Sequence, residues 1–164
     1  MSLRDALTDL TLRLTSRAAV RWSPLPLRLI VGYGFMAHGF AKLSRGPETF
    51  ATVLDTLGLP LPLLLSWATT LVELVGGAAV IAGAFIPLVA PPMAIVLLTA
   101  LFTVHVRYGF FSVKLASVTA DGVKFGTVGY EIILLYLGGL AALAIGGAGR
   151  LSVDEWLRRN RAVT

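Results

Sequence analysis

Apolar positions gather into four long stretches, at about 25–43, 62–85, 88–106 and 128–146, separated by shorter polar segments. Each comes close to the roughly 20 residues that a helix needs to cross a hydrocarbon core about 30 Å thick. A bilayer offers the backbone no water, so a spanning segment must satisfy its own peptide groups, and all four stretches are expected to be helices. Prolines fall at their margins. Pro24 and Pro26 precede the first, Pro60 and Pro62 the second, and Pro87, Pro91 and Pro92 stand at the start of the third. The last pair is a candidate kink, because proline withdraws a donor and crowds the preceding turn.

Shorter periodicities fill in the rest. Leu3, Leu7, Leu10 and Leu14 recur at helical spacing among Arg4, Asp5, Asp9, Arg13, Arg17 and Arg21, a segment too often charged for the apolar core of a signal peptide. It reads either as a basic helix at the membrane surface or as a frayed basic arm. Phe50, Val53, Leu54 and Leu57 repeat at helical spacing before Gly58, which predicts a short amphipathic helix over one mouth of the bundle. The link at 83–88 is a tight turn. The longer link at 107–127, with Phe110, Phe111, Gly122 and Gly126, reads as a lid or a hairpin. Ser152-Val153-Asp154-Glu155 is a capping box, with Ser152 as N-cap and Glu155 reaching back, and it opens a short terminal helix. The expected fold is all-α, a four-transmembrane-helix bundle with short interfacial helices. It divides into a basic interfacial segment at 1–24, a membrane domain at 25–147 and a tail helix at 148–164.

Composition agrees. The 164 residues are 56% hydrophobic and 14% charged, and mean hydropathy is +0.81, whereas soluble domains run near a quarter charged. Cysteine is absent, which excludes disulfide scaffolds, thiolate metal sites, iron–sulfur clusters and CxxC redox chemistry. The net charge of +5 is explained by its distribution. Arg4, Arg13, Arg17 and Arg21 precede the four stretches, and Arg150, Arg158, Arg159 and Arg161 follow them. The links at 44–61 and 107–127 and their margins carry Lys42, Arg45, Arg107, Lys114 and Lys124, and the middle link carries no cation. Basic flanks stay cytoplasmic, so both termini of a multi-pass membrane protein are expected inside. The charge then reports topology, with no nucleic-acid partner.

Ionisable groups inside spans each cost about 2.5–3.5 kcal/mol for Arg, Lys or Asp at a helix centre and are functional candidates by default. Here they are Arg28, His38 and Lys42 in the first stretch, Glu73 in the second, His105 in the third and Glu131 in the fourth. Arg28 and Lys42 lie near the ends, within snorkelling reach of the interfaces. The expected topology brings His38, Glu73, His105 and Glu131 together in the outer half of the bundle, as candidate catalytic groups. Lys42, four residues from His38 and on its face, is a candidate substrate-binding group, as is Arg28. Glu73 is expected to face inward and pair with His38 or Lys42, and no metal site is expected. Gly32, Gly34, Gly39, Gly76, Gly77, Ala79 and Gly83, and the Gly138, Ala142, Gly146 repeat, read as packing faces rather than cofactor contacts.

Several of these fragments together resemble the DoxX family. They are Arg28-Leu29-Ile30-Val31-Gly32, His38-Gly39-Phe40-Ala41-Lys42-Leu43, Gly58-Leu59-Pro60, Val72-Glu73-Leu74-Val75-Gly76-Gly77, Tyr130-Glu131 and Gly147-Ala148-Gly149-Arg150-Leu151-Ser152-Val153-Asp154. The resemblance covers about 25–157, and the segment 112–126 departs from it. It implies a four-helix inner-membrane protein of a kind often linked to redox complexes, whose relatives include a small subunit of a thiosulfate:quinone oxidoreductase. The functional expectation is a membrane subunit of a quinone-linked oxidoreductase complex, its His/Glu/Lys cluster bonding a quinone carbonyl or relaying protons. The alternatives are a non-enzymatic anchor or assembly factor whose polar cluster only locks the helices, small-molecule transport, and haem b held by His38 and His105. The expected partners are the lipid bilayer and either other subunits or further copies of the chain.

Overall fold

A computed structural model describes residues 2–14, 16–120 and 122–161. In chain order it contains α1 (Leu3–Leu14), α2 (Arg17–Val20), α3 (Pro24–Arg45), α4 (Pro47–Thr56), α5 (Pro62–Ala82), α6 (Ile86–Ala100), β1 (Leu115–Thr119), β2 (Gly122–Phe125), α7 (Glu131–Gly146) and α8 (Val153–Arg161). α6 continues through a π-helical turn, Leu101–His105, and a 3-10 turn, Val106–Tyr108. Two helices, Pro62–Ala82 and Ile86–Tyr108, are long and apolar enough to cross a membrane, and Glu131–Gly146 is apolar but shorter. Proline opens α3, α4, α5 and α6, where its missing N–H has no intrahelical partner to lose. α6 runs on through Pro91 and Pro92 to Ala100 without interruption.

α3 packs on α5, α5 on α6, α6 on α7 and α7 back on α3. Val31 and Phe35 of α3, Val80 of α5, Ile86 and Met93 of α6, and Leu140 and Leu143 of α7 share one buried core. The amphipathic α4 lies on α5, burying Ala51 and Leu54. Buried Ser66 fixes it there by donating to the Pro47 carbonyl at 2.6 Å. At the chain's start the helix reading holds: α1 forms, with Leu3, Leu7 and Leu10 exposed. The side chain of Leu14, the last of that stripe, lies outside the described residues.

Small residues decide how closely α3 and α5 approach. A Cβ on Gly32 would stand 2.6 Å from the Gly77 carbonyl, and one on Gly77 would stand 2.7 Å from the Gly32 carbonyl. Backbone cannot yield as a side-chain tip does, so Gly77→Ala should cost about 1–3 kcal/mol as overpacking. The α7 repeat behaves differently. Gly138 and Gly146 have nothing within 4 Å of a built Cβ, while the neighbouring Gly139 meets Val31 at 3.1 Å. The expected seam along Gly138, Ala142 and Gly146 is therefore not a packing face within this chain. Gly138→Ala should melt with the parent in the same detergent while Gly77→Ala melts earlier. Equal midpoints for the two variants would contradict the close approach.

Two sequence expectations need correction. The fold is not all-α: β1 and β2 pair antiparallel, so the 107–127 link forms a hairpin. Val123 and Phe125 alternate as strand residues do, and β-branched Val118, Thr119 and Val123 suit a pleated strand, in a segment that lies between Gly109 and Gly126. At α8, Ser152 caps as expected, its hydroxyl accepting from the Glu155 N–H at 3.2 Å. Glu155 does not complete the reciprocal half of the box. Its carboxylate binds Arg158, Arg159 (2.9 Å) and, across the chain, Arg21.

That choice gives α8 a pH signature. Hydrogen bonds from Arg158 and Arg159, with the charge of Arg21, hold the Glu155 pKa at about 2 against an ordinary 4.5. A carboxyl depressed on folding stabilises fully above its unfolded pKa and loses that contribution as pH falls through the folded one. The docking of α8 should therefore be constant near neutrality and weaken between pH about 4.5 and about 2. Hydrogen exchange of the α8 amides should speed up across that window. In Glu155→Gln it should already be fast at pH 7 and show no such step.

Candidate functional site

α3 presents His38 and Lys42 one helical turn apart towards a chamber of about 540 Å³. Glu73 of α5 forms a second wall, and Val96 and Thr99 of α6 with Thr103 and His105 of the π turn form a third. Ile132, Ile133 and Tyr136 of α7 close the far side, and α4 roofs the space with Phe50, Val53, Leu54 and Leu57. The amphipathic helix expected over a mouth of the bundle is therefore this roof.

The chamber is mostly apolar, and its polar groups are one ion pair, two imidazoles, the Tyr136 phenol and the hydroxyls of Thr69, Thr99 and Thr103. Lys42 Nζ lies 2.5 Å from both carboxylate oxygens of buried Glu73. The ammonium also sits 4.7 Å from the centre of the Phe50 ring, a cation–π contact that ties the pair to α4. Gly39 permits the pairing, because a Cβ there would come within 3.0 Å of Glu73 Cβ and 2.8 Å of Leu74 Cγ. Glu73 thus faces inward and takes Lys42, rather than His38, as its counter-charge.

The two histidines differ. His105 Nδ1 lies 3.0 Å from the Val128 carbonyl. A carbonyl only accepts, so Nδ1 carries the proton and Nε2 is the nitrogen able to accept one. The π turn that carries His105 is a departure from α geometry of the sort that recurs at functional sites. His38 is exposed and stands where the chamber meets a smaller cavity of about 260 Å³, which Arg45 and Thr49 also line.

Two predicted site residues lie elsewhere. Glu131 opens α7 and is not in the chamber wall. Its carboxylate accepts from the Ser112 N–H at 3.0 Å, and the Ser112 hydroxyl accepts from the Ile132 N–H at 3.2 Å, so the pair caps α7 where a helix favours negative charge. Arg28 sits fourteen residues before Lys42 on α3, roughly 21 Å along the axis at 1.5 Å per residue. It does not snorkel: it is 1% exposed. Its guanidinium donates to Val80, Ile81, Ala148, Arg150 and Leu151 carbonyls at 2.5–3.4 Å, gathering the end of α5 and the approach to α8.

Sequence reasoning missed Tyr136, Thr99 and Thr103. Tyr136 meets Phe35 edge-on at 5.8 Å and lies over Gly34, whose missing side chain makes room for the phenol. A glycine facing an aromatic across two helices leaves no periodic trace in either helix alone. Thr99 and Thr103 donate to carbonyls of their own helix, which neutralises their hydroxyls. Among the described residues no cluster of three or more His, Cys, Asp or Glu is placed to hold a metal.

Two apolar helices, Pro62–Ala82 and Ile86–Tyr108, have the length and composition of membrane spans, and the first carries Glu73 of the Lys42–Glu73 pair. The DoxX family model matches residues 23–106, from the foot of α3 through the π turn of α6 and just over half of the chain. The chain belongs to the DoxX family. Comparison with curated proteins and with solved structures returned no match.

Proposed function

We propose that this protein is a membrane subunit of a quinone-linked oxidoreductase complex, with the chamber between α3, α4, α5, α6 and α7 as its quinone site. The observation that carries the reading is the chamber itself: apolar walls enclosing His38, His105 and the Lys42–Glu73 pair. Such a space suits a flat apolar ring with polar carbonyls, held by a few placed donors. His38 and Lys42 supply donors for a carbonyl oxygen, and His105 Nε2 accepts or returns a proton. A quinone takes up two electrons and two protons on becoming a quinol, and the electrons come from a partner subunit, since the chain's own residues supply only protons.

In this reading α3 and α7 cross the inner membrane beside α5 and α6, giving four spans with 25–147 as the membrane domain. The segments 1–24 and 148–164 lie on the cytoplasmic side, where the arginine-rich tails favour retention. The chamber then opens towards the outer face.

The test is equilibrium binding of decylubiquinone to the purified protein, with chain-wide folding verified by circular dichroism. His38→Ala should weaken binding about tenfold or more, as loss of a hydrogen bond to a charged or polarised partner does. Unchanged binding in both well-folded His38→Ala and Glu73→Gln would overturn the assignment. A Soret band in protein from native membranes would instead favour haem b on His38 and His105.

A second reading has its own support. Lys42 and Glu73 satisfy one another at 2.5 Å, and Arg28 and Glu131 are consumed by structural hydrogen bonds. A non-enzymatic anchor or assembly factor needs no more than such helix locks.

A further inference from the structure

The β1–β2 hairpin has one apolar face that nothing among the described residues covers. On β2, Val123 and Phe125 point to the same side because side chains alternate along a strand. Their register partners on β1 are Val118 and Leu115. Those two are three residues apart and would ordinarily fall on opposite faces. The irregularity between Leu115 and Ser117 inserts the extra residue that returns them to one side. Leu115, Val118, Val123 and Phe125 therefore form a single patch, 62%, 67%, 53% and 65% exposed. Ser117 and Thr119, paired with Lys124 and Gly122, make the opposite face polar.

The base of the hairpin is held firmly and its body is not. Gly129, Tyr130 and Glu131 donate backbone N–H groups to the carbonyls of Phe111, Gly109 and Phe110 at 2.9–3.1 Å. Beyond the Gly126-to-Lys114 hydrogen bond the two strands pair only with each other. An isolated two-stranded hairpin is marginal in water, so its apolar face calls for a cover.

The surroundings indicate which cover. The hairpin springs from Tyr108, where a helix of membrane-crossing length ends. Phe110 stacks edge-on with Phe111 and Tyr130 at 5.6 and 5.7 Å, the kind of aromatic cluster found where a span leaves hydrocarbon. Between the end of that helix and the apolar patch, Phe110, Phe111 and Val113 are exposed as well. Arg107 and Lys114, before the first strand, are cations that complement anionic phospholipid headgroups.

We propose that the Leu115–Phe125 hairpin is an interfacial anchor. Its Leu115, Val118, Val123 and Phe125 face lies in the headgroup–acyl boundary of the protein's own bilayer, and its Ser117, Thr119 and Lys124 face is turned to water. The anchor also bears on the chamber, because β2 runs on through Gly126 to Val128, whose carbonyl holds His105. It is independent of whether a quinone occupies that chamber.

The chain has no cysteine, so Val118→Cys, Val123→Cys, Ser117→Cys and Lys124→Cys each offer one site for a nitroxide label. The full-length protein is reconstituted in vesicles of phosphatidylcholine and phosphatidylglycerol at three to one. Labels at 118 and 123 should favour collisions with oxygen over a water-soluble nickel chelate about tenfold more than labels at 117 and 124. All four positions are exposed or half-buried, so labelling leaves the fold intact, checked by an unchanged unfolding midpoint. Equal access of the chelate to both faces would overturn the proposal by leaving the hairpin in water. An apolar face shielded from both reagents would also overturn it, by placing protein there, such as a second copy of the chain.

Discussion

Replacing Arg28 with alanine is expected to cost about 3–5 kcal/mol, the loss typical when a buried charge and its partners are separated. The side chain is 1% exposed and its donors reach five carbonyls on two segments of chain. Val80 and Ile81 belong to the last turn of α5, where carbonyls carry the negative end of the dipole, and the Val80 carbonyl also accepts from the Gly83 N–H at 3.1 Å. Ala148, Arg150 and Leu151 belong to the turn that leads into α8. Without the guanidinium these buried and part-buried acceptors lose its hydrogen bonds, a penalty that falls hardest on the buried Ala148 carbonyl. A folded domain typically has only about 5–15 kcal/mol in hand, so Arg28→Ala should accumulate poorly and unfold at much lower temperature. Arg28→Lys should recover only part, since an ammonium offers three donors from one point where the guanidinium offers five in a fork. Hydrogen exchange should rise first at the end of α5 and across 148–155. A parent-like melting midpoint for Arg28→Ala would mean that the clasp does not bear the load assigned to it.

Arg28 also shows where the sequence was legible and where it was not. Hydropathy located α3, α5, α6 and α7, because a segment that must satisfy its own backbone announces itself by length and composition. The same reasoning flagged every ionisable group in those segments, since each is costly in an apolar setting. It did not separate their roles. Arg28 and Lys42 have the same chemistry and lie on the same helix. One meets carbonyls at the foot of the bundle and the other meets Glu73 near its opposite end, and that difference lies in partners 31 to 123 residues away. Glu131 was misplaced for a similar reason. Its position as the first residue of α7 makes it a cap, and helix starts are blurred when Val128, Gly129 and Tyr130 continue the apolar run. The hairpin was open in the sequence between two readings, because glycines and apolar residues suit a lid as well as a strand pair. Strand register, and with it the single apolar face, depends on one inserted residue and had no signature in the composition.

Lys42 and Glu73 should each be indispensable alone and dispensable together. Lys42→Met leaves the Glu73 carboxylate buried without a counter-charge, and Glu73→Met does the same to the ammonium. Each single change should therefore cost about 3–5 kcal/mol. In Lys42→Met/Glu73→Met neither charge remains, and two methionines fill comparable space with adaptable side chains. The double variant should recover most of the lost stability, so the coupling energy in a double-mutant cycle of unfolding free energies should exceed the cost of either single change, about 3–5 kcal/mol. Near-additive losses would show that the pair, despite its 2.5 Å contact, does not act as one unit. Recovery of the fold also separates the two functional readings. A stable bundle lacking both charges but keeping His38 and His105 retains the apolar chamber and loses one donor to a quinone carbonyl. If the pair contacts ligand, decylubiquinone should bind this variant at least tenfold more weakly than it binds the parent protein. If the pair is only a lock between α3 and α5, the double variant should bind as the parent does and still associate with the parent's membrane partners.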